Sequence, residues 1–384
     1  MQTTVSIENL LTTLTPVCSG VVCILLVLLR EPVWDKLKGT GMRRTLLVYY
    51  LLTAFNWVMI TALTFFPAEF VYVRILLVFF GVLVPVVLYH FLFLLTKTEG
   101  GERFPRWHYA FPAAFFLLHL AGSLSVPHEV FAQTSLYNAQ YVPGYRGLYV
   151  IVQSVPFVRF LTGITYALLS LSRYRRYRRM MADYSSDLYL NSLYWLRVFL
   201  VLWIACLVTP VPAMFMPIKA LLTQLNLAVP AVLLAMQHIL LCFNVVRGNY
   251  IFPAVNTNRS KAAERKEAVN DAPQGKQIRQ STLERYMEYR KPYLSPNLTI
   301  VELAQELHTN RAYLSAFINK TYGMNYSQFI NECRLKELDR IVADPESAGL
   351  TNMEKIHAAG FGSFDSYRRA VRMREKRKML RPEE

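Results

Sequence analysis

Eight arginine and lysine side chains lie close together between positions 368 and 381. Guanidinium and ammonium groups bind phosphate oxygens, and a guanidinium can also donate two parallel hydrogen bonds to the edge of a guanine. Runs of this kind also occur on solvated faces and beside anionic membranes. The elements that carry these side chains therefore decide which partner they fit.

A second chemically distinctive residue is Arg159, near the middle of an apolar stretch at 148–171. No apolar stretch of the chain contains an acidic residue that could neutralise it. A charge at such a position is costly and usually faces the interior of a helix bundle. Arg159 is therefore a candidate contact for an anion or another ligand. The alternative is a structural role, in which it caps carbonyl groups freed by Pro156.

Residues for catalysis or metal binding do not form a recognisable pattern. The five cysteines and seven histidines are scattered, without the spacing of a disulfide framework or a zinc site. His90, His119 and His238 fall in apolar stretches, and we interpret them as packed or hydrogen-bonded interior groups. Nucleotide-binding loops and catalytic triads are also absent from the sequence. We therefore expect no enzymatic activity, no cofactor and no metal.

Apolar and charged residues occupy different parts of the chain. Mean hydropathy is +0.24 although the formal net charge is +16. Stretches near the roughly 20 residues that a helix needs to cross a bilayer recur through residues 1–250. Because lipid offers no partner to backbone polar groups, these stretches predict a seven-helix transmembrane bundle in an all-α protein. They run from 10–29, 45–66, 70–95, 109–126, 148–171, 192–216 and 220–246, and the fourth is the shortest.

Basic residues are distributed unevenly over the loops between these stretches. Loops 30–44, 97–108 and 172–191 hold 13 lysines and arginines, whereas the other three loops hold 2. Cytoplasmic loops carry the excess of positive charge in membrane proteins. The count predicts an N-terminus outside the membrane and a cytoplasmic position for everything after about residue 247.

Other basic residues of this half receive simpler interpretations. The run from Arg173 to Arg179 is expected to fix the topology and to touch anionic lipid rather than nucleic acid. Arg74 and Arg197 lie near the ends of apolar stretches, and we expect their side chains to snorkel toward water.

The remaining residues divide into a linker at 251–280 and a domain at 281–384. From Pro253 onward the linker is polar, carries both charge signs and lacks aromatic residues, so it cannot bury much surface. In the domain, Thr299 followed by Glu302 is the signature of a capping box. Helix, short turn and helix then follow twice, which predicts two helix-turn-helix units. The predicted helices are 300–307, 311–321, 327–343, 352–359 and 363–376, with Ser363 as the cap of the last.

Several anchors of this domain occur in the order and at the separations of a known family. Residues 283–376 resemble the AraC/XylS-type DNA-binding domain, and a multi-span half before such a domain is similar to membrane-bound AraC-type regulators. The second unit departs from the family in two places. Lys355-Ile356 stands where the family has Ile-Ala before the Gly-Phe turn, or else one residue is missing there. Lys376–Met379 replaces the family's usual Gly-Met-x-Pro ending, so the final helix is expected to run on or to end disordered. The matching residues are Tyr293–Ala304, Asn310–Ser315, Gly323–Met324, Phe329–Leu335 and Gly360–Ser363.

The resemblance implies that each unit offers a recognition helix to the major groove of double-stranded DNA. Arg369 is the best candidate for guanine contact, because its guanidinium can bond two acceptors at once. The remaining basic residues fit phosphate contact, which positions a protein without specifying sequence. The implied base-contact residues are Arg311, Ala312, Ser315, Ala316, Asp365, Ser366 and Arg369, and the implied phosphate contacts are Arg368, Arg372 and Arg374.

The function expected from these features is transcription regulation from a bacterial inner membrane. The bundle would sense a small-molecule or envelope signal, or serve only as an anchor in membrane lipid, and the regulator could act as a homodimer. A transporter-like or receptor-like membrane protein with a C-terminal regulatory protein-interaction module is the alternative. Another alternative is a degraded domain that binds a protein instead of DNA. The discriminating expectation is salt-dependent binding of residues 281–384 to duplex DNA.

Overall fold

The computed structural model describes an all-helical chain, in which the described residues form no β-strand. The chain divides into two compact units. The first comprises Met1–Thr96, Glu102–Tyr174 and Trp195–Asn249, and the second comprises Lys97–Gly101, Arg175–Tyr194 and Tyr250–Glu384. The described residues are 7–29, 41–66, 73–97, 102–136, 141–185, 193–207, 224–248 and 278–380. Most of the predicted linker at 251–280 lies outside them.

The apolar half forms helices α1 to α8. Five of these are long and apolar enough to cross a membrane, which agrees with a membrane protein. Helix α1 packs on α2 and α8, α2 packs on α3, and α3 packs on α4. The helices are α1 (Ile7–Leu29), α2 (Met42–Phe65), α3 (Val73–Leu95), α4 (Ala110–Leu124), α5 (His128–Leu136), α6 (Arg146–Ala182), α7 (Tyr194–Cys206) and α8 (Gln224–Val246).

The fourth and sixth predicted spans differ from the long helices. The stretch predicted at 109–126 forms α4, whose 15 residues follow a short 3₁₀ turn. At about 1.5 Å per residue, α4 is shorter than the roughly 30 Å hydrocarbon core. The stretch predicted at 192–216 begins with α7, and its remainder from 208 onward lies outside the described residues. Helix α5 was not predicted, because its sequence is only weakly apolar.

The prediction that His238, in α8, is a hydrogen-bonded interior group is confirmed. Its side chain is fully buried. Nδ1 lies 2.9 Å from the Ser19 hydroxyl of α1, and Nε2 lies 3.0 Å from the Thr53 hydroxyl of α2. Since both ring nitrogens have partners, His238 connects three packed helices.

The described residues from 278 onward, all in the second unit, form helices α9 to α14. The long helix α12 is central, because α11, α13 and α14 all pack against it. Leu335 and Leu338 of α12 form one buried cluster with Ile356, Ala359 and Phe361. The helices are α9 (Gln280–Arg290), α10 (Ile300–Glu306), α11 (Arg311–Tyr322), α12 (Tyr326–Ala343), α13 (Asn352–Ala358) and α14 (Phe364–Leu380).

Arg334 of α12 is a buried arginine with several backbone partners. Its side chain is only 1% exposed. Nε donates to the Tyr293 carbonyl at 2.7 Å, and Nη2 donates to the Ser295 carbonyl at 2.7 Å. The guanidinium also lies 5.8 Å from the centre of the Phe361 ring. One side chain thus connects the turn before α10 with the turn after α13.

Candidate nucleic-acid interface

The first helix pair consists of α10 and α11, and local hydrogen bonds define where each helix begins. The Thr299 hydroxyl accepts from the Glu302 amide at 3.3 Å, and the Glu302 carboxylate accepts from the Thr299 amide at 2.8 Å. The Asn310 side chain accepts from the Tyr313 amide at 2.8 Å, which starts α11. These caps satisfy amides that the helices cannot pair internally, and the predicted boundaries agree within about one residue.

The second helix pair, α13 and α14, is built in the same way. Thr351 and Glu354 form a capping box at α13. The Ser363 hydroxyl accepts from the Ser366 amide at 3.2 Å, as expected for the cap of α14. Ile356, the departure from the family pattern, is buried in the cluster against α12. Helix α14 continues to Leu380, so the departure at 376–379 extends the helix.

In the first pair, the candidate base-contact residues occupy the beginning of α11. Ala312 and Ala316 are exposed, and Ser315 is half-buried. Arg311 is the first residue of α11 and is half-buried. Its guanidinium lies 5.6 Å from the centre of the Tyr184 ring, so an aromatic side chain covers this candidate contact.

In the second pair, four of the candidates lie on the accessible part of α14. Arg372 is exposed. Arg368 is 56% exposed and lies 3.7 Å from the Asp365 carboxylate, which is itself 46% exposed. Arg369 is half-buried, and its guanidinium lies 5.1 Å from the centre of the Tyr194 ring.

Ser366 and Arg374 are engaged inside the second unit. Ser366 is 9% exposed, and its hydroxyl lies 3.0 Å from that of Ser363. The Arg374 guanidinium lies 3.2 Å from Glu332 and 3.1 Å from Asp339, both on α12. In this conformation Ser366 therefore takes part in the cap that begins α14, and Arg374 attaches α14 to α12.

The segment Asp183–Ser185, directly after α6, contacts the first helix pair within the second unit. The Ile300 amide donates to the Tyr184 carbonyl at 3.1 Å, and Ser185 forms a β-bridge with Thr299. Burial raises the pKa of Asp183, and the nearby Arg311 guanidinium opposes that rise. Arg311 therefore lies near both an aromatic ring and a carboxylate of this segment. This contact could not be predicted from the sequence, because its partners are more than 100 positions apart.

Among the described residues, no group of three or more His, Cys, Asp or Glu could hold a metal ion. Arg159, the candidate ligand contact of the apolar half, lies in α6 and packs against Gly81 of α3. The chain matches no protein-family model, no curated protein and no solved structure in comparisons with known proteins. Its function is therefore argued from its own residues.

Proposed function

We propose that the chain is a membrane-integrated transcriptional regulator whose C-terminal domain binds promoter DNA through two helix-turn-helix units. One observation carries the proposal: two capped helix pairs pack on one central helix, and the second helix of each pair begins with candidate base-contact residues. The apolar helices support a membrane location. The proposal includes seven spans of a bacterial inner membrane, a cytoplasmic C-terminus and a bundle that senses or anchors.

The competing function is a transporter-like or receptor-like protein whose C-terminal unit binds another protein. The charge of α14 favours DNA, because Arg368 and Arg372 are exposed on the helix that also carries Arg369. A protein-binding surface would have less need of such a concentration of arginines, since phosphate contacts supply much of the affinity for nucleic acid.

The test is the salt dependence of binding to a pool of random-sequence DNA duplexes. We expect the full-length protein in detergent to bind the duplexes and to lose about a thousandfold in affinity between ~50 and ~200 mM salt. Sequencing of the retained duplexes should reveal an enriched motif. Failure to bind duplex DNA, or affinity that salt leaves unchanged, would refute the proposal.

Single substitutions separate the roles of the arginines. Arg372→Ala should weaken binding to all duplexes alike and reduce the salt slope by about one. Arg369→Ala should weaken binding to the enriched motif by about 1–3 kcal/mol and relax the sequence preference of the protein at one position of that motif. Arg285→Ala, an exposed arginine of α9 outside both helix pairs, is the matched control and should leave both quantities unchanged.

The Asp183–Ser185 segment is expected to restrain DNA binding, because its Tyr184 ring lies over the Arg311 guanidinium and would compete with DNA for it. Tyr184 is buried and Arg311 is half-buried, so their contact is worth at least the roughly 0.5–1 kcal/mol of a cation–π contact at an exposed site. Tyr184→Ala should therefore raise the affinity for the enriched motif by about two- to fivefold. Asp183→Asn combined with Tyr184→Ala should raise it further.

The matched control for this prediction is Tyr289→Ala, which removes an 89% exposed tyrosine of α9. It should not change the affinity. If Tyr184→Ala binds the motif with unchanged or lower affinity than the parent protein, the segment does not restrain Arg311.

A further inference from the structure

Arg74 and Arg159, two arginines in apolar helices, form no hydrogen bond or ion pair with the described residues. Arg74 lies in α3 and Arg159 in α6, and neither helix contains an acidic residue within its apolar span. The Arg74 Nη1 atom is buried, and no described residue forms a hydrogen bond with it. Among the described residues, none accepts a hydrogen bond from Arg159 or forms an ion pair with it. The expectation that Arg74 snorkels stays a prediction, although its Nη1 atom is covered by protein.

A buried histidine of α4 adds a third unpartnered group. His119 is fully buried, and its Nε2 atom has no hydrogen-bond partner in the part of the chain that the structure describes. The Ser123 hydroxyl donates to the His119 carbonyl at 2.6 Å, so its oxygen accepts from the ring Nδ1, 3.3 Å away. Nδ1 then carries the proton of the neutral ring, and Nε2 presents a lone pair.

These three groups belong to one region of the first unit. On α3, Arg74 lies five positions before Phe79, and on α4, His119 lies three positions after Phe116. The Arg159 guanidinium lies against Gly81 of α3, where an added Cβ atom would come within 2.9 Å of its Cζ atom. Helices α3 and α4 are in direct contact, with the Phe79 and Phe116 rings 4.7 Å apart. Glycine at position 81 thus leaves room for the guanidinium.

Two like charges without a counter-ion repel each other, and the low dielectric of an apolar bundle strengthens the repulsion. A buried charge in a membrane protein is normally paired or marks a ligand pathway. Among the described residues, no carboxylate forms an ion pair with either guanidinium group. An anion bound between them would satisfy both.

We propose that Arg74, Arg159 and His119 form a binding site for an oxyanion that carries a hydroxyl group, with hydrogen phosphate as the simplest example. The arginines bind the charged oxygens, for which their forked donors are suited. The Nε2 atom of His119 accepts a hydrogen bond from the ligand hydroxyl. The group can come from a free phosphorylated molecule or from a lipid headgroup. The proposal does not depend on DNA binding.

The test measures the thermal stability of the full-length protein in nanodiscs of phosphatidylcholine. Ligands that bind only the folded state raise Tm. Sodium phosphate, at an ionic strength matched with sodium chloride, should raise Tm by about 5 °C when it is well above its Kd. Sulfate, which has no hydroxyl at neutral pH, should give a smaller rise. A second arm replaces part of the phosphatidylcholine with phosphatidylglycerol and omits phosphate.

Substitutions assign the effect to the site. Arg74→Gln and Arg159→Gln should each abolish the rise, whereas Arg197→Gln, which removes an exposed arginine of α7, should retain it. In phosphatidylcholine alone, both site variants should melt at or above the Tm of the parent protein, because each removes an uncompensated charge. A structural arginine that caps carbonyl groups would instead lower Tm when replaced.

Each result bears on the proposal. A rise in the phosphate arm alone identifies a free anion, and a rise in the phosphatidylglycerol arm alone identifies a headgroup. The proposal is overturned if neither arm raises Tm, if the site variants respond like the parent protein, or if they melt lower without any anion. Glu69→Gln, which removes the acidic residue nearest to Arg74 in the sequence, should respond like the parent protein. A larger response would mean that a carboxylate of the chain itself fills the site, which also overturns the proposal.

Discussion

Arg334→Ala is expected to lower the free energy of unfolding of the second unit by about 3–5 kcal/mol. The substitution removes a buried guanidinium and leaves the carbonyls of Tyr293 and Ser295 without the donors that now lie 2.7 Å from them. A buried acceptor that loses its partner costs its full desolvation penalty. Hydrogen exchange of the α12 amides in the full-length protein measures this loss.

The control for Arg334 is on the same helix. Arg340 forms a 3.4 Å ion pair with Glu337 while 58% exposed. Exposed pairs of this kind contribute at most about 1 kcal/mol, so Arg340→Ala should change α12 exchange little. Arg334→Lys keeps the charge but cannot reach both carbonyls with one ammonium group. Its effect on α12 amide exchange should therefore lie between those of Arg334→Ala and Arg340→Ala. Equal effects of Arg334→Ala and Arg340→Ala would contradict the role assigned to Arg334.

Gly360→Ala is expected to destabilise the same unit by about 2–5 kcal/mol. Gly360 has a φ of +91°, a conformation that residues with a Cβ atom rarely adopt. An added Cβ would collide with the Tyr293 carbonyl oxygen and would lie 2.7 Å from the Leu294 Cα atom. Because both neighbours are backbone atoms, no side-chain rotation can relieve the clash. The melting temperature of the unit, followed by limited proteolysis, should fall accordingly.

Gly349→Ala tests whether the effect comes from crowding or merely from the loss of a glycine. No atom lies within 4 Å of the Cβ that it would introduce. Substitution of a glycine in a compatible conformation changes stability by less than about 1 kcal/mol and can increase it. If Gly349→Ala destabilises the unit as much as Gly360→Ala, close packing at Gly360 is not the cause.

Local features of the second unit could be predicted from the sequence. Thr299 and Glu302 are three positions apart, and their hydrogen bonds form within one helical turn. Gly323, with a φ of 63°, ends α11 where a glycine is expected to end a helix. In both cases the physical cause and its effect lie within a few residues. Helix boundaries therefore follow from the sequence more closely than contacts do.

Contacts between distant residues could not be predicted. Local sequence does not distinguish Arg334 from other arginines of an amphipathic helix, because its partner, the Tyr293 carbonyl, lies 41 positions earlier. Arg74 is a second example. Its place near the end of an apolar stretch predicts snorkeling and gives no sign that its Nη1 atom is buried in the protein. Burial of a long polar side chain depends on neighbouring helices, about which local sequence says nothing.

The capping boxes of the second unit also bear on how it folds. Three helices, α10, α12 and α13, each begin with a reciprocal pair: Thr299 with Glu302, Asn325 with Gln328, and Thr351 with Glu354. A cap lowers the cost of helix nucleation by about 1 kcal/mol without any tertiary contact. Nascent helices should therefore form early, and the slow step should be the docking of Arg334 into its turn, which joins residues far apart in the chain. A domain tethered after a series of membrane helices would in this way begin to fold from its own local signals as it leaves the ribosome.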